Sequence, residues 1–233
     1  MRKKESNMIP NPLFPKPTNS LMIAGNAGIL EAIVSPPETE ISPIIAIICH
    51  PHPLHGGTMH NKVISTVART FHELGIWSIR FNFRGVGLSQ GHYDQGDGET
   101  DDLIAVMHWA KTQFPNHDIW LSGFSFGAYI AIKGATQQAF KDKIKQLITI
   151  APAVNHFEFS DNQAISCAWT LLMGEKDEIV PTNLVKNWII THGFSLIAIY
   201  FPEVGHFFHG HLTALKEQLK MTLGTKTQHT PLN

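Results

Sequence analysis

Ile119-Trp120-Leu121-Ser122-Gly123-Phe124-Ser125-Phe126-Gly127 decides how the rest of this chain is read. A strand-like run from Asp118 to Leu121 passes into Gly-x-Ser-x-Gly. After it, Ala128, Ile130, Ala131, Ile132, Gly134 and Ala135 suit a helix packed on a sheet. A serine between glycines is by itself an ordinary turn in most chains. The strand before it and the helix after it turn the reading into a nucleophile elbow. In such a turn Ser125 stands at the apex with a strained backbone, and the flanking glycines permit close packing. The helix that follows aims its amino-terminal N–H groups at the same spot.

Outward from this stretch the chain alternates strands and helices. Ser20 to Ile23 and Ile29 to Val34 flank Gly25-Asn26-Ala27-Gly28 and read as a hairpin. Ile44 to Cys49 is continuously apolar, as befits a strand buried on both faces. Asn61 to Leu74 predicts a helix, Ile76 to Phe81 a strand, and Asp101 to Phe114 a helix. Lys145 to Ile150, Ala168 to Met173 and Ser195 to Tyr200 predict strands. Thr182 to Thr191 and Leu212 to Leu223 predict helices. The fold class is therefore α/β: a mostly parallel central sheet with an N-terminal antiparallel hairpin and helices on both faces. Residues 1–19 read as an extended leader with Pro10, Pro12, Pro15 and Pro17, 20–225 as a single domain, and 226–233 as a tail.

Reactive groups in parallel sheets gather at the carboxyl ends of strands. A serine hydroxyl needs a base within hydrogen-bond reach, and the base needs an orienter. After the strand ending at Met173 comes Gly174-Glu175-Lys176-Asp177-Glu178; after the one ending at Tyr200 comes Glu203-Val204-Gly205-His206-Phe207-Phe208-His209. Asp177 is the favoured orienter, with Glu175 and Glu178 as alternatives in its loop. His206 is the favoured base, with His209 as its alternative.

Acyl transfer also needs donors for an oxyanion. The N–H of Phe126, next after the serine, is one. The second is sought in His50-Pro51-His52-Pro53-Leu54-His55-Gly56-Gly57, where the two prolines have no N–H. His52 is favoured through its backbone, and Leu54 is next. Four histidines crowd this segment: His50, His52, His55 and His60. His-x-His spacing raises a metal reading, but no carboxylate lies nearby in sequence and Cys49 reads as a buried strand thiol, so no metal is assigned. Their other reading is as rings that pack around the loop or shape a pocket mouth.

Bulk properties narrow the class. The 233 residues are 43% hydrophobic and 16% charged, with a formal net charge of −1. That balance supports a large core and offers no field for nucleic acid or an anionic membrane. No apolar run reaches the roughly 18 residues that span a bilayer. The basic start Met1-Arg2-Lys3-Lys4 leads into prolines rather than an apolar signal segment. The two cysteines, Cys49 and Cys167, sit in apolar runs and read as thiols, which suits the cytoplasm.

From about Ser20 to Leu223 the chain resembles the α/β-hydrolase superfamily, and within it the small, lidless bacterial serine hydrolases near the dienelactone-hydrolase branch. The resemblance is carried by His50-Pro51-His52-Pro53-Leu54-His55-Gly56-Gly57-Thr58-Met59, Arg80-Phe81-Asn82-Phe83-Arg84-Gly85-Val86-Gly87-Leu88-Ser89, Gly123-Phe124-Ser125-Phe126-Gly127 and Gly205-His206-Phe207-Phe208-His209-Gly210. The order Ser125, Asp177, His206 matches that superfamily. It implies the α/β-hydrolase fold and a scaffold role for Arg84. The short connection from Ala151 to Cys167 implies no cap domain, with Phe157 and Phe159 either walling the pocket or packing on the core. Dienelactone hydrolases carry cysteine where Ser125 stands, so their activity is not implied. The expected function is serine-dependent cleavage of carboxylic esters or thioesters of small acyl substrates, with no cofactor. Peptidase or acyltransferase action, or binding without catalysis, are the alternatives.

Overall fold

The computed structural model of the protein describes residues 19–39, 42–157 and 165–227. The expected leader and tail, and Phe159, fall almost wholly outside these residues.

Among the described residues, eight strands form one sheet: β1 (Asn19–Gly25), β2 (Gly28–Ser35), β3 (Ile44–Cys49), β4 (Trp77–Phe81), β5 (Asp118–Phe124), β6 (Ile144–Ile150), β7 (Ala168–Gly174) and β8 (Ile197–Phe201). Five helices accompany them: α1 (Lys62–Glu73), α2 (Asp97–Gln113), α3 (Phe126–Ala135), α4 (Thr182–Thr191) and α5 (Leu212–Thr227). The strand order is β1-β2-β4-β3-β5-β6-β7-β8. β2 runs antiparallel to both β1 and β4, and every other pairing is parallel. The hairpin, the mostly parallel sheet and the α/β class stand as the sequence predicts.

Topology places the helices. The step from β3 to β4 moves one way across the sheet, and the steps from β4 to β5 and onward move the other way. Parallel crossovers are right-handed, so this reversal puts α1 on one face and α2, α3 and α4 on the other. α5 returns to the α1 face, where Lys216 and Lys220 hold Glu73. The reversal point lies between β3 and β5, the place where an open α/β sheet binds ligands.

Apolar pattern explains which strands sit deep. All six residues of β3 are buried, as are the last six of β5. Both are covered by helices on two faces, and each fully buried Ile or Leu contributes roughly 1.5–3 kcal/mol. β8 closes one edge of the sheet, and there Ile197 and Ala198 are exposed.

Several boundaries differ from expectation by a few residues, and two of these bear on the site. α2 begins at Asp97, a turn before Asp101. Gly96 takes φ +102°, and the Glu99 carboxylate accepts the N–H groups of Asp94 and Gly96 at 3.0 and 2.7 Å, closing the first turn. Glycines at 96 and 98 conceal that start from a propensity reading. β5 continues past Leu121 to Phe124, because pairing with β6 persists to Phe124 opposite Ile150. Among the described residues no helix is long and apolar enough to cross a membrane.

Candidate active site

Ser125 follows β5 directly and has φ 56° and ψ −117°. That conformation is strained for any residue with a Cβ. It is held by the Ser125 N–H donating to the Ile150 carbonyl at 2.9 Å and by the packing of the flanking glycines. A Cβ at Gly123 would run into the backbone of Gly127, and a Cβ at Gly127 would run into the carbonyls of Cys49 and His50. The close approach therefore welds three segments: the end of β5, the start of α3 and the end of β3.

His206 comes from the loop after β8. Its Nδ1 lies 2.8 Å from Asp177 Oδ2 and its Nε2 lies 3.0 Å from Ser125 Oγ. A carboxylate only accepts, so the neutral ring carries its proton on Nδ1, and Nε2 accepts from the serine hydroxyl. The ring is buried, with Phe124 and Phe207 each 5.0 Å away by ring centre. Its neighbour Phe208 has φ 54° and is wholly buried against Phe201, which anchors the loop. Asp177 is fixed through its other oxygen, which accepts the N–H groups of Ile179 and Val180 at 2.9 and 2.7 Å.

The alternatives separate on geometry. Glu175 pairs with Lys186 at 3.3 Å, away from the ring. Glu178 accepts the backbone N–H of His206 at 3.1 Å and lines the cleft. His209 stacks on Phe207 at 5.6 Å, ahead of the first turn of α5.

Phe126 is the first residue of α3, so its N–H has no carbonyl within the helix to donate to. The loop after β3 turns tightly at Pro53–His55, where the N–H groups of His55 and Gly57 donate to the His52 carbonyl at 3.1 and 3.0 Å. Leu54, the second candidate donor, already gives its N–H to His52 Nδ1 at 3.2 Å. No hydrogen bond among the described residues uses the His52 N–H. The His52 ring lies 5.1 Å from that of Phe126, so the two favoured donors belong to segments in contact.

The histidines divide by surroundings. His50 is wholly buried; its Nδ1 donates to the Pro51 carbonyl at 2.6 Å and its Nε2 accepts the Phe83 N–H at 3.0 Å. Burial pushes its pKa down to about 4, so the ring is neutral at pH 7. His52 stacks on His55 at 4.4 Å and its Nε2 meets the Tyr93 hydroxyl at 3.1 Å. Burial, then the neighbouring His55 and His156, hold the His52 pKa below the ordinary value. Among the described residues no three His, Cys, Asp or Glu side chains converge as metal ligands.

Above the serine lies a cleft of about 730 Å³. Much of its lining is aromatic, from His52, His55, Tyr93, Phe126 and Phe157, and Glu178 and Ile179 line it as well. Of the two readings offered for Phe157, both hold: it lines the cleft and stacks on Tyr129 at 4.6 Å. Sequence reasoning passes over Tyr93, Gln95, Ala153 and His156, which also line it. Those residues sit in connections without periodicity, and only the polar-aromatic run His92-Tyr93-Asp94-Gln95 hints at a role. The scaffold role expected of Arg84 is visible: its guanidinium grips buried Asp102 on α2 at 2.8–3.1 Å, tying down the segment that carries Tyr93.

Comparison with known proteins shows the family and the fold. Residues 52–195 match the Hydrolase_4 family, described as serine aminopeptidase, S33. A lidless α/β serine hydrolase of Xanthomonas campestris superposes with a TM-score of 0.87 at 41% identity, covering 95% of this chain and 100% of that one. An α/β serine hydrolase homologue of Coxiella burnetii gives 0.85 at 42% identity, covering 90% of this chain and 99% of that one. An uncharacterized protein of Rickettsia prowazekii is 35% identical over 173 residues, 70% of this chain and 71% of that protein. On its fold, its family match and its near-complete overlap with lidless relatives, this chain belongs to the α/β-hydrolase superfamily of serine hydrolases.

Proposed function

We propose that the protein is an esterase, hydrolysing carboxylic esters or thioesters of small acyl groups through a covalent acyl-enzyme on Ser125. The observation that carries this reading is the unbroken chain Asp177–His206–Ser125, at 2.8 and 3.0 Å, beneath an open cleft. His206 Nε2 takes the Ser125 proton as Oγ forms its bond to the acyl carbon. Asp177 keeps the ring in the tautomer that accepts this proton and stabilises the imidazolium. The N–H groups of Phe126 and His52 hold the oxyanion. The tetrahedral intermediate collapses, the bond to the leaving alcohol or thiol breaks, and His206 returns the proton to that group. Water, deprotonated by His206, then attacks the acyl carbon and releases the acid, and Ser125 regains its proton. Every proton in these steps moves between groups of the chain, substrate and water, and the proposal includes no metal or cofactor.

Glu178 favours a second reading on the same triad. The family description names aminopeptidases, which recognise a free amine, and Glu178 presents a carboxylate to the cleft beside Ser125. A cytoplasmic setting belongs to the proposal as well, since Cys49 and Cys167 are thiols rather than a disulfide.

The test is labelling by a fluorophosphonate probe, wild type against Ser125→Ala, followed by matched panels of p-nitrophenyl esters and aminoacyl p-nitroanilides. Labelling that depends on Ser125, with turnover of esters, supports the esterase. Turnover of anilides that falls in Glu178→Gln shifts the reading to a peptidase. Folded wild-type protein that takes no label leaves a binding protein on a hydrolase scaffold.

A further inference from the structure

The His52 ring is wired on both nitrogens, and both wires bear on the proposed oxyanion donor. Nδ1 accepts the Leu54 N–H at 3.2 Å, so in the neutral ring the proton resides on Nε2. Nε2 then donates to the Tyr93 hydroxyl oxygen at 3.1 Å. The ring is further clamped by His55, stacked 4.4 Å away, and by Phe126 at 5.1 Å. Tyr93 is carried by the segment that the Arg84–Asp102 pair fastens to α2. These contacts join three separate parts of the chain at one imidazole whose own backbone N–H faces no other partner among the described residues.

We infer that Tyr93 and the His52 side chain are positioning residues: the hydroxyl, accepting from Nε2, holds the ring whose Nδ1 caps the Pro53–His55 turn, and the capped turn holds the His52 N–H in place for the developing oxyanion. The inference rests on the esterase reading of Ser125 and adds residues to it. A peptide N–H is only as good a donor as the rigidity of the loop that carries it, because transition-state stabilisation depends on dipoles that need not reorganise. Proline at 51 and 53 restricts φ on either side of His52, and the capped turn fixes what remains. The arrangement works only with a neutral ring. Protonation would place an N–H on Nδ1 facing the Leu54 N–H, two donors at one contact. The titratable groups around this ring are His55, His156 and Tyr93, and none supplies a carboxylate that would favour the cation.

The test is a set of variants read by steady-state kinetics and by nitrogen NMR of the His52 ring. Tyr93→Phe keeps the aromatic lining and loses the hydroxyl. It is expected to lower kcat roughly three- to tenfold with KM little changed, and to weaken a boronic-acid transition-state mimic in proportion. His52→Ala keeps the backbone N–H but loses the cap, with an expected fall in kcat of roughly 10- to 100-fold. His52→Asn restores most of that loss, because Asn caps such a turn with its side-chain oxygen. In the Asn background, adding Tyr93→Phe has little further effect, since the shorter amide does not reach the hydroxyl. Equal kcat in His52→Ala and wild type, or a Tyr93→Phe effect of the same size in both backgrounds, overturns the inference. So does a wild-type His52 spectrum with the proton on Nδ1. That spectrum is independent of turnover. Failure of the esterase reading shows instead as wild-type protein that neither labels nor hydrolyses.

Discussion

The floor of the cleft and its rim are built by different means. On the floor, Ser125 and Asp177 are fixed by backbone, through strand pairing up to Phe124, the Ser125 N–H on Ile150 and two N–H groups on Asp177, and His206 joins them from a loop, its backbone N–H accepted by Glu178. On the rim, His52, Tyr93 and Phe157 meet through side chains from segments remote in sequence. Backbone constraints are shared by the whole sheet and admit one arrangement. Side-chain contacts among loops can be rearranged one residue at a time. On this comparison the floor should govern whether chemistry occurs, and the rim should govern on what.

The largest expected effect is at the floor. Ser125→Ala should lower kcat for any accepted ester by about four orders of magnitude or more, with the thermal midpoint nearly unchanged. Residual turnover within tenfold of wild type would sink the division altogether. Asp177→Asn follows, lowering kcat roughly 10³- to 10⁴-fold because an amide in place of the carboxylate favours the wrong ring tautomer. Glu175→Gln, two residues earlier in the same loop, should change kcat less than twofold, and an equal loss in both would reassign the orienter.

A pH effect comes next, and it belongs to the floor through His50. The folded ring titrates near 4 and an unperturbed one near 6.5. Between these values the unfolded chain binds a proton that the folded protein refuses, so stability is full above the upper value and falls as pH drops. The loss across the window is about 3 kcal/mol. Urea unfolding at pH 7 and pH 4.5 measures it. His50→Asn, which has no titrating ring, should show a shallower dependence.

Rim changes are smaller. Phe157→Ala should shift the ratio of kcat/KM between short and bulky acyl esters roughly tenfold, while a single activated ester is still turned over. A uniform loss across the ester panel would move Phe157 from rim to floor. The smallest effect returns to the elbow. Ser125→Gly should exceed Ser125→Ala in stability by roughly 1–2 kcal/mol, because glycine takes φ 56° without penalty. No difference in their midpoints would mean that the surrounding sheet absorbs the strain.

Legibility in the sequence follows the same line. The elbow and the loops that carry the proposed base and orienter could be read because each sits where periodicity changes at a strand end. The competition among Glu175, Asp177 and Glu178 could not be settled there, because adjacent loop carboxylates differ only in direction. Only the fold turns Asp177 inward and sends Glu178 to the His206 N–H. His52 over Leu54 was legible as a preference, since prolines remove two donors. The capture of the Leu54 N–H by the His52 ring is a contact with no sequence signature. Tyr93, Gln95 and His156 were hard to read because they sit in connections without periodicity, where only the polar-aromatic run His92-Tyr93-Asp94-Gln95 gives a local hint. The early start of α2 was hidden by glycines that a side-chain cap makes tolerable.

The buried Arg84–Asp102 pair has a consequence for how such a protein acquires new substrates. It anchors the start of the segment that goes on to bear Tyr93 and Gln95, yet Asp102 lies on α2, outside the cleft. Laboratory selection for an altered substrate range can reach this segment by loosening its anchor rather than by replacing the residues that touch substrate. Removing one partner of a buried pair typically costs 3–5 kcal/mol, a large share of the 5–15 kcal/mol that separates a domain from unfolding. Lineages that first accumulate stabilising surface changes will therefore be the ones able to explore that route.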